Sequence, residues 1–260
     1  MTLTLGNGPL AAGAPDTTNY VLDGPQHKLL FTPFPRRLRA AFGGLTIADS
    51  ERAMLLHESN IFPVVYLPVE DVAMQLLTKT DRSTHCPFKG DASYWTITVG
   101  EQVAENAVWG YETPLDEASW LAGYVSIEWK RADRWFDEDD EIFGHIRDPY
   151  HRVDARPTSR RYRVRLGDRI VADTTGAFVV SETGAANRIY LPAADVMTEQ
   201  FTRSATTTHC PHKGTSTYWN DTTTGTADVA WSYEQPLEEA TRVAGFWCFD
   251  GPDVELERLD

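Results

Sequence analysis

Thr84-His85-Cys86-Pro87-Phe88-Lys89-Gly90 returns 124 residues later as Thr208-His209-Cys210-Pro211-His212-Lys213-Gly214. Working outward, both copies run on to a Tyr-Trp pair, Tyr94-Trp95 and Tyr218-Trp219. Upstream, the same offset aligns His27 with His151, Ala48-Asp49 with Ala172-Asp173, and Glu58 with Glu182. It also aligns Tyr66-Leu67-Pro68 with Tyr190-Leu191-Pro192, and Asp71-Val72 with Asp195-Val196. Between positions 36 and 95 there are 22 identities in 60 positions, which marks an internal duplication. Downstream the second copy loses two residues in a Gly/Thr-rich turn. The match then resumes as Trp109-x-Tyr111-Glu112 against Trp231-x-Tyr233-Glu234. A length change between matching flanks is what a surface turn tolerates.

The local patterns are mostly β. Tyr162-Arg163-Val164-Arg165-Leu166 alternates polar and apolar before a Gly167-Asp168 turn. Short runs at Phe178–Val180, Arg188–Leu191, Tyr94–Val99, Val108–Tyr111 and Tyr124–Trp129 read the same way. Helical signal is confined to Val69–Leu77 and Ala193–Phe201, with Pro at the mouth and an acid in the first turn, and to Leu115–Leu121 and Leu237–Val243. The fold class expected is mainly β: two tandem compact domains of antiparallel strands, each with one or two short helices. The expected boundaries are a flexible N-terminal tail at 1–26, a first repeat at 27–136, an acidic linker and lead-in at 137–150, and a second repeat at 151–260.

A formal net charge of −14 and a pI near 4.9 work against non-specific nucleic-acid binding and against an anionic membrane surface. Of the three cysteines, Cys86 and Cys210 are repeat equivalents, and the first repeat has Ser126 where the second has Cys248. That mismatch argues against a disulfide framework and for a reducing compartment. Residues 1–20 lack the basic start and apolar core of a signal peptide, and no apolar run approaches the ~18 residues of a membrane span. A cytoplasmic location is the expectation.

The candidates for chemistry cluster around the repeated loop. His85, Cys86, His209 and Cys210 could supply a nucleophile or a proton carrier, with Lys89 or Lys213 as the cation that favours a thiolate. Adjacent side chains on an extended segment point to opposite faces, however, so His and Cys do not share a pocket there, and a buried, inert Cys is the competing reading. Structural zinc wants four N or S ligands; each copy offers one shared Cys and one shared loop His, so no metal and no cofactor are expected. The Lys-Gly pair lacks the spacing of a phosphate loop, but a lysine on a flexible turn presents a point charge to an anion. Tyr94, Trp95, Trp109 and Tyr111, with Tyr218, Trp219, Trp231 and Tyr233, form either a Trp-rich core or an aromatic cleft. Trp109 and Tyr111 share one face of a strand, while Glu112, and in the second copy Glu234, point to the other.

Together these motifs resemble domain-of-unknown-function family 427. The second repeat carries its pattern as Glu182-Thr183, Arg188-Ile189-Tyr190-Leu191-Pro192, Asp195-Val196, Thr208 to Gly214, Tyr218-Trp219 and Trp231 to Pro236. The first carries it as Glu58, Tyr66 to Pro68, Asp71-Val72, Thr84 to Gly90, Tyr94-Trp95 and Trp109 to Pro114. Two departures stand out: Val64 replaces the family's Arg in the first repeat, and Phe88 and His212 replace its loop Tyr. The resemblance implies a β-tent-like fold. Relatives of that fold often hold zinc through paired CxxC motifs, which this chain lacks. The nucleotidyltransferase-like label attached to the family finds no Gly-Ser and spaced Asp pair here.

The expected function is binding of a small polar or anionic molecule in the aromatic cleft, with catalysis left open. Lys213 and Arg188 would hold an anionic group, Tyr190, Tyr218, Trp219, Trp231 and Tyr233 would line the cleft, and His209 or Glu234 would handle protons. The alternative is a non-enzymatic interaction module with two linked surfaces, serving a protein partner or a second copy of the chain.

Overall fold

The computed structural model describes residues 3–4, 8–11 and 24–259. It divides into two units, Met1–Pro149 and Tyr150–Asp260. Both are mainly β, as expected, and the paired strands among the described residues run antiparallel, with one isolated parallel bridge between Tyr233 and Ala244.

In the first unit a seven-stranded sheet runs in the order Leu29–Pro33, Met54–Glu58, Val64–Pro68, Tyr124–Ile127, Gln102–Gly110, Gly90–Val99, Leu77–Cys86. A four-stranded sheet of Asp140–Ile142, Arg134–Asp137, Leu38–Phe42 and Leu45–Ser50 accompanies it. The main core holds Leu38, Leu55, Leu67, Ile97, Val108 and Trp135. A second cluster gathers Leu56, Tyr66, Tyr111 and Leu121, with Cys86, Tyr94 and Trp109 packed at its margin. Alternation along the strands explains the division: Val108 goes to one cluster and Trp109 to the other.

The second unit repeats the plan, with some of its strands shorter. Val153–Pro157, Phe178–Glu182 and Arg188–Tyr190 form one sheet, and Arg169–Thr174, Tyr162–Leu166 and Val254–Arg258 another. Phe201–Cys210, Gly214–Asp221, Ala230–Ser232 and Trp247–Phe249 form the third. Leu191 and Trp247 exchange two backbone hydrogen bonds, joining the first sheet to the third where the first unit pairs Leu67 with Val125. The two-residue deletion falls in the turn after Asp221, whose carboxylate accepts from Thr223 N and Thr224 Oγ1.

Three expectations need correction. The segments after Leu67-Pro68 and Leu191-Pro192 are not continuous helices but pairs of 3-10 turns, Val69–Asp71 with Met74–Leu76 and Ala193–Asp195 with Thr198–Gln200. Val72 and Val196 interrupt them in extended conformation, bridging Ala48 and Ala172 and burying their side chains. The Leu115 and Leu237 segments are the short helices expected, of 3-10 type over Asp116–Leu121 and Glu238–Val243.

The acidic run does not stay a solvated linker: Arg134–Asp137 and Asp140–Ile142 pair as a hairpin of the first unit. Arg36 grips the buried Asp137 carboxylate with two hydrogen bonds of 2.5 and 2.6 Å, which removes the charge penalty of folding it in.

Within the expected tail, Asn60 N donates to Thr4 O at 2.9 Å and Ser59 Oγ to Leu10 O at 3.1 Å, and Thr4 is buried. Most of the rest of that tail lies outside the described residues.

Candidate functional site

The repeated loop is the turn of a long hairpin. Cys86 pairs with Gly90 and Cys210 with Gly214, and the lysine N–H closes the turn on the cysteine carbonyl in both copies. Gly90 and Gly214 sit at φ +99° and +97°, which L side chains rarely adopt. A Cβ there would also press within 3.4 Å of Leu115 N or 3.3 Å of Leu237 N. Those amides donate to the lysine carbonyls, tying the turn to the Asp116–Leu121 and Glu238–Val243 segments.

This geometry aims the lysine inward rather than at a ligand. Lys89, 7% exposed, is ion-paired with Glu58, 4% exposed, at the end of the Met54–Glu58 strand. Lys213 makes the same pair with Glu182. A histidine completes each set: His27 Nε2 lies 2.8 Å from Glu58 Oε1, and His151 Nε2 lies 3.5 Å from Glu182 Oε2. Burial alone would raise the Glu182 carboxyl, but the His151 hydrogen bond and the Lys213 charge hold it at about 2. His27 and Glu58 were not among the expected site residues. The signal that could have found them was their identity with His151 and Glu182.

The two units differ in what covers the histidine. In the first, Phe88 stacks on His27, with centroids 3.8 Å apart and planes 10° from parallel. In the second, His212 packs against His151 at 4.3 Å, and its Nδ1 lies 3.0 Å from Glu239 Oε2. Above the ion pairs, Lys89 Nζ sits 6.0 Å from the Tyr111 ring centroid and Lys213 Nζ 5.7 Å from that of Tyr233. Trp231 Nε1 donates to the Tyr190 hydroxyl at 3.1 Å, and the equivalent Trp109 packs against the cluster that holds Tyr66. Burial pushes all four phenols up, so Tyr66, Tyr111, Tyr190 and Tyr233 stay protonated at neutral pH.

The remaining expected residues divide. His85 and His209 lie on the outside of the hairpin, bonded to Asp91 and Thr215, while Cys86 and Cys210 are half-buried beneath. The alternation of an extended strand separates them, as the sequence indicated. Burial pushes the Cys248 thiol up to about 12. Trp95 and Trp219 pack in or against the main cores, Trp219 stacked on Trp247 at 4.4 Å. Glu112 pairs with Lys79 and accepts from Ser93, which lowers its carboxyl; Glu234 pairs with the exposed Arg203. Arg188 pairs with Asp250 at 3.0 Å, and its guanidinium sits 5.6 Å from the centre of the Trp231 ring.

The aromatic residues expected to share one cleft in each repeat line at least two separate grooves in the first unit. One of about 420 Å³ has Trp95, Tyr111, Glu112 and Tyr124 among its walls. Another, of about 690 Å³, has Tyr94 and Trp109 as its aromatic surface, and Arg82, Lys130 and Arg131 as its cations, with Glu105, Asn106 and Glu128 completing the wall. Lys89 lines neither. No group of three or more His, Cys, Asp or Glu among the described residues is placed to hold a metal ion. No helix among them is long and apolar enough to cross a membrane.

Two antiparallel-β units, each with a Lys–Glu–His cluster under a Trp-Tyr strand, define a duplicated domain. The model of that domain matches residues 30–138 and 154–259, and the chain belongs to the family described as Domain of unknown function (DUF427). No curated protein matches the chain.

Proposed function

We propose that the protein binds a small polar or anionic molecule, and that the groove of Tyr94 and Trp109 in the first unit receives it. One observation carries the reading. An open groove of about 690 Å³ joins two half-buried aromatic rings to three cationic side chains on a chain of net charge −14. Aromatic surface with a few convergent charged groups suits a small ligand. The loop lysines support the site from beneath: paired with Glu58 and Glu182, they anchor the hairpin that presents the aromatic residues.

Thermal-shift screening of small carboxylates and phosphate esters tests the proposal, with Trp109→Ala as the variant. Stabilisation of the wild type that the variant loses supports it; no stabilisation by any member of the screen counts against it.

The interaction-module alternative draws on a different feature. The strands Leu77–Cys86 and Phe201–Cys210 close their sheets as edges and are largely exposed, and edge strands are templates for pairing with another chain. Partner capture that survives Trp109→Ala but is lost on placing Pro at Thr84 or Thr208 would favour this alternative.

A further inference from the structure

The two aromatic faces are not equivalent, although the duplication made them so. The repeat offsets place Thr206 at the position of Arg82, and the shorter segment Gly251-Pro252-Asp253-Val254 stands where the first unit has Trp129-Lys130-Arg131-Ala132-Asp133. Asp250 takes the place of Glu128, Asp228 that of Asn106, and Ala227 that of Glu105. The backbone supports this register: Asn106 and Asp228 both have positive φ, 51° and 57°. Arg82 N donates to Thr80 Oγ1, and Thr206 N to Ser204 Oγ in the same way.

The first unit thus brings three cations and two carboxylates to its face, and none of the three cations is ion-paired among the described residues. The Arg82 guanidinium lies over Tyr94, 4.5 Å from its centroid, a placement that leaves its N–H edge for an anion. Across the corresponding positions and segment the second unit has three carboxylates and no cation. The cation that stands over Trp231, Arg188, is paired with Asp250. With Arg188 included, the second face still carries net negative charge where the first carries net positive. The first unit has Val64 in place of Arg188, so that position gives the face of Trp109 no guanidinium.

We infer that the first unit's groove takes a planar molecule bearing an anionic group, one per chain, and that the second unit's face rejects it. The planar part lies against Tyr94 and Trp109, and the anionic group meets Arg82, Lys130 and Arg131. In the second unit Arg188 covers the Trp231 platform with its Asp250 partner, and Asp228 and Asp253 repel a negative charge. This rests on the small-molecule reading above and narrows it to one unit and one ligand class.

The test is calorimetric titration of the full chain with 2-naphthoate and with its neutral amide, 2-naphthamide. The expected result is one site per chain for 2-naphthoate, with binding at least about tenfold tighter than for the amide, as hydrogen bonds to charged groups allow. The paired change Arg82→Thr with Arg131→Asp falls on two exposed side chains outside both cores, so the fold is retained. It should weaken 2-naphthoate about tenfold or more and leave 2-naphthamide unchanged. Arg188→Val, which copies the first unit, should not weaken 2-naphthoate.

Equal binding of acid and amide, two sites per chain, or weakening by Arg188→Val in place of the paired change would overturn the inference while leaving small-molecule binding standing. Failure of both compounds to bind would remove the small-molecule reading for this class and the inference with it.

Discussion

Replacing Lys89 by Met should destabilise the first unit far more than the loss of one exposed lysine. The side chain is 7% exposed and its partner Glu58 is 4% exposed, so the substitution leaves a carboxylate buried with only His27 beside it. Breaking a buried ion pair from one side costs about 3–5 kcal/mol, whereas exposed pairs are worth about 1 kcal/mol or less. With a urea slope of about 2 kcal/mol per molar, a loss of about 4 kcal/mol lowers the midpoint by about 2 M. Adding Glu58→Gln removes the stranded charge, so Lys89→Met/Glu58→Gln should recover more than half of that loss. Lys213→Met should do the same to the second unit alone.

The pH dependence has a definite sign there. Because Glu182 is held at about 2, below its ordinary 4.5, the pair stabilises the fold at and above pH 4.5. Its contribution is lost as pH falls from about 4.5 towards 2, and Lys213→Met should flatten the stability profile in that window. Urea titrations at about pH 7 and pH 3, followed by tryptophan fluorescence, measure both effects. A Lys89→Met midpoint within about 0.3 M of wild type, or a double variant no better than the single, would refute the ion-pair argument.

Further outcomes follow from the same geometry. Gly90→Ala should cost at least ~1 kcal/mol by urea titration, because φ is +99° and the new methyl meets the Leu115 amide. Arg36→Ala should lower stability by roughly 1–3 kcal/mol by stripping the buried Asp137 of its two hydrogen bonds, read from the thermal midpoint of the first unit. Cys248, its thiol pushed up to about 12, should resist iodoacetamide in the native protein at mildly alkaline pH, while half-buried Cys86 and Cys210 are alkylated first; peptide mass spectrometry reports the order.

Much of the fold was legible because two copies constrain each other. The repeat offset delimited the two copies, alternating and β-rich runs marked strands, and alternation parted His85 from Cys86 and put Trp109 and Tyr111 on one face. What misled were local signals with two outcomes. Proline followed by an acid opens a 3-10 turn as readily as a helix, and only the burial of Val72 against Ala48 decides between them. The acidic run looked solvated because Asp137's partner, Arg36, lies 101 residues away.

The loop lysine was harder still. Its role depends on a glutamate 31 residues upstream, a distance at which sequence carries no orientation. Yet His, Glu and Lys were each identical in both copies, and reading them as one set would have found the cluster. The groove of Arg82, Lys130 and Arg131 has no such signal, because the second copy does not share it.

Amine labelling of the native protein tests most directly whether the loop lysines serve the fold and not a ligand. Reductive methylation, read peptide by peptide, should modify Lys79 and Lys130 readily and leave Lys89 and Lys213 largely protected until the chain unfolds. Modification of Lys89 and Lys213 as fast as Lys79 would contradict the account and return both loops to the status of open, ligand-facing charges.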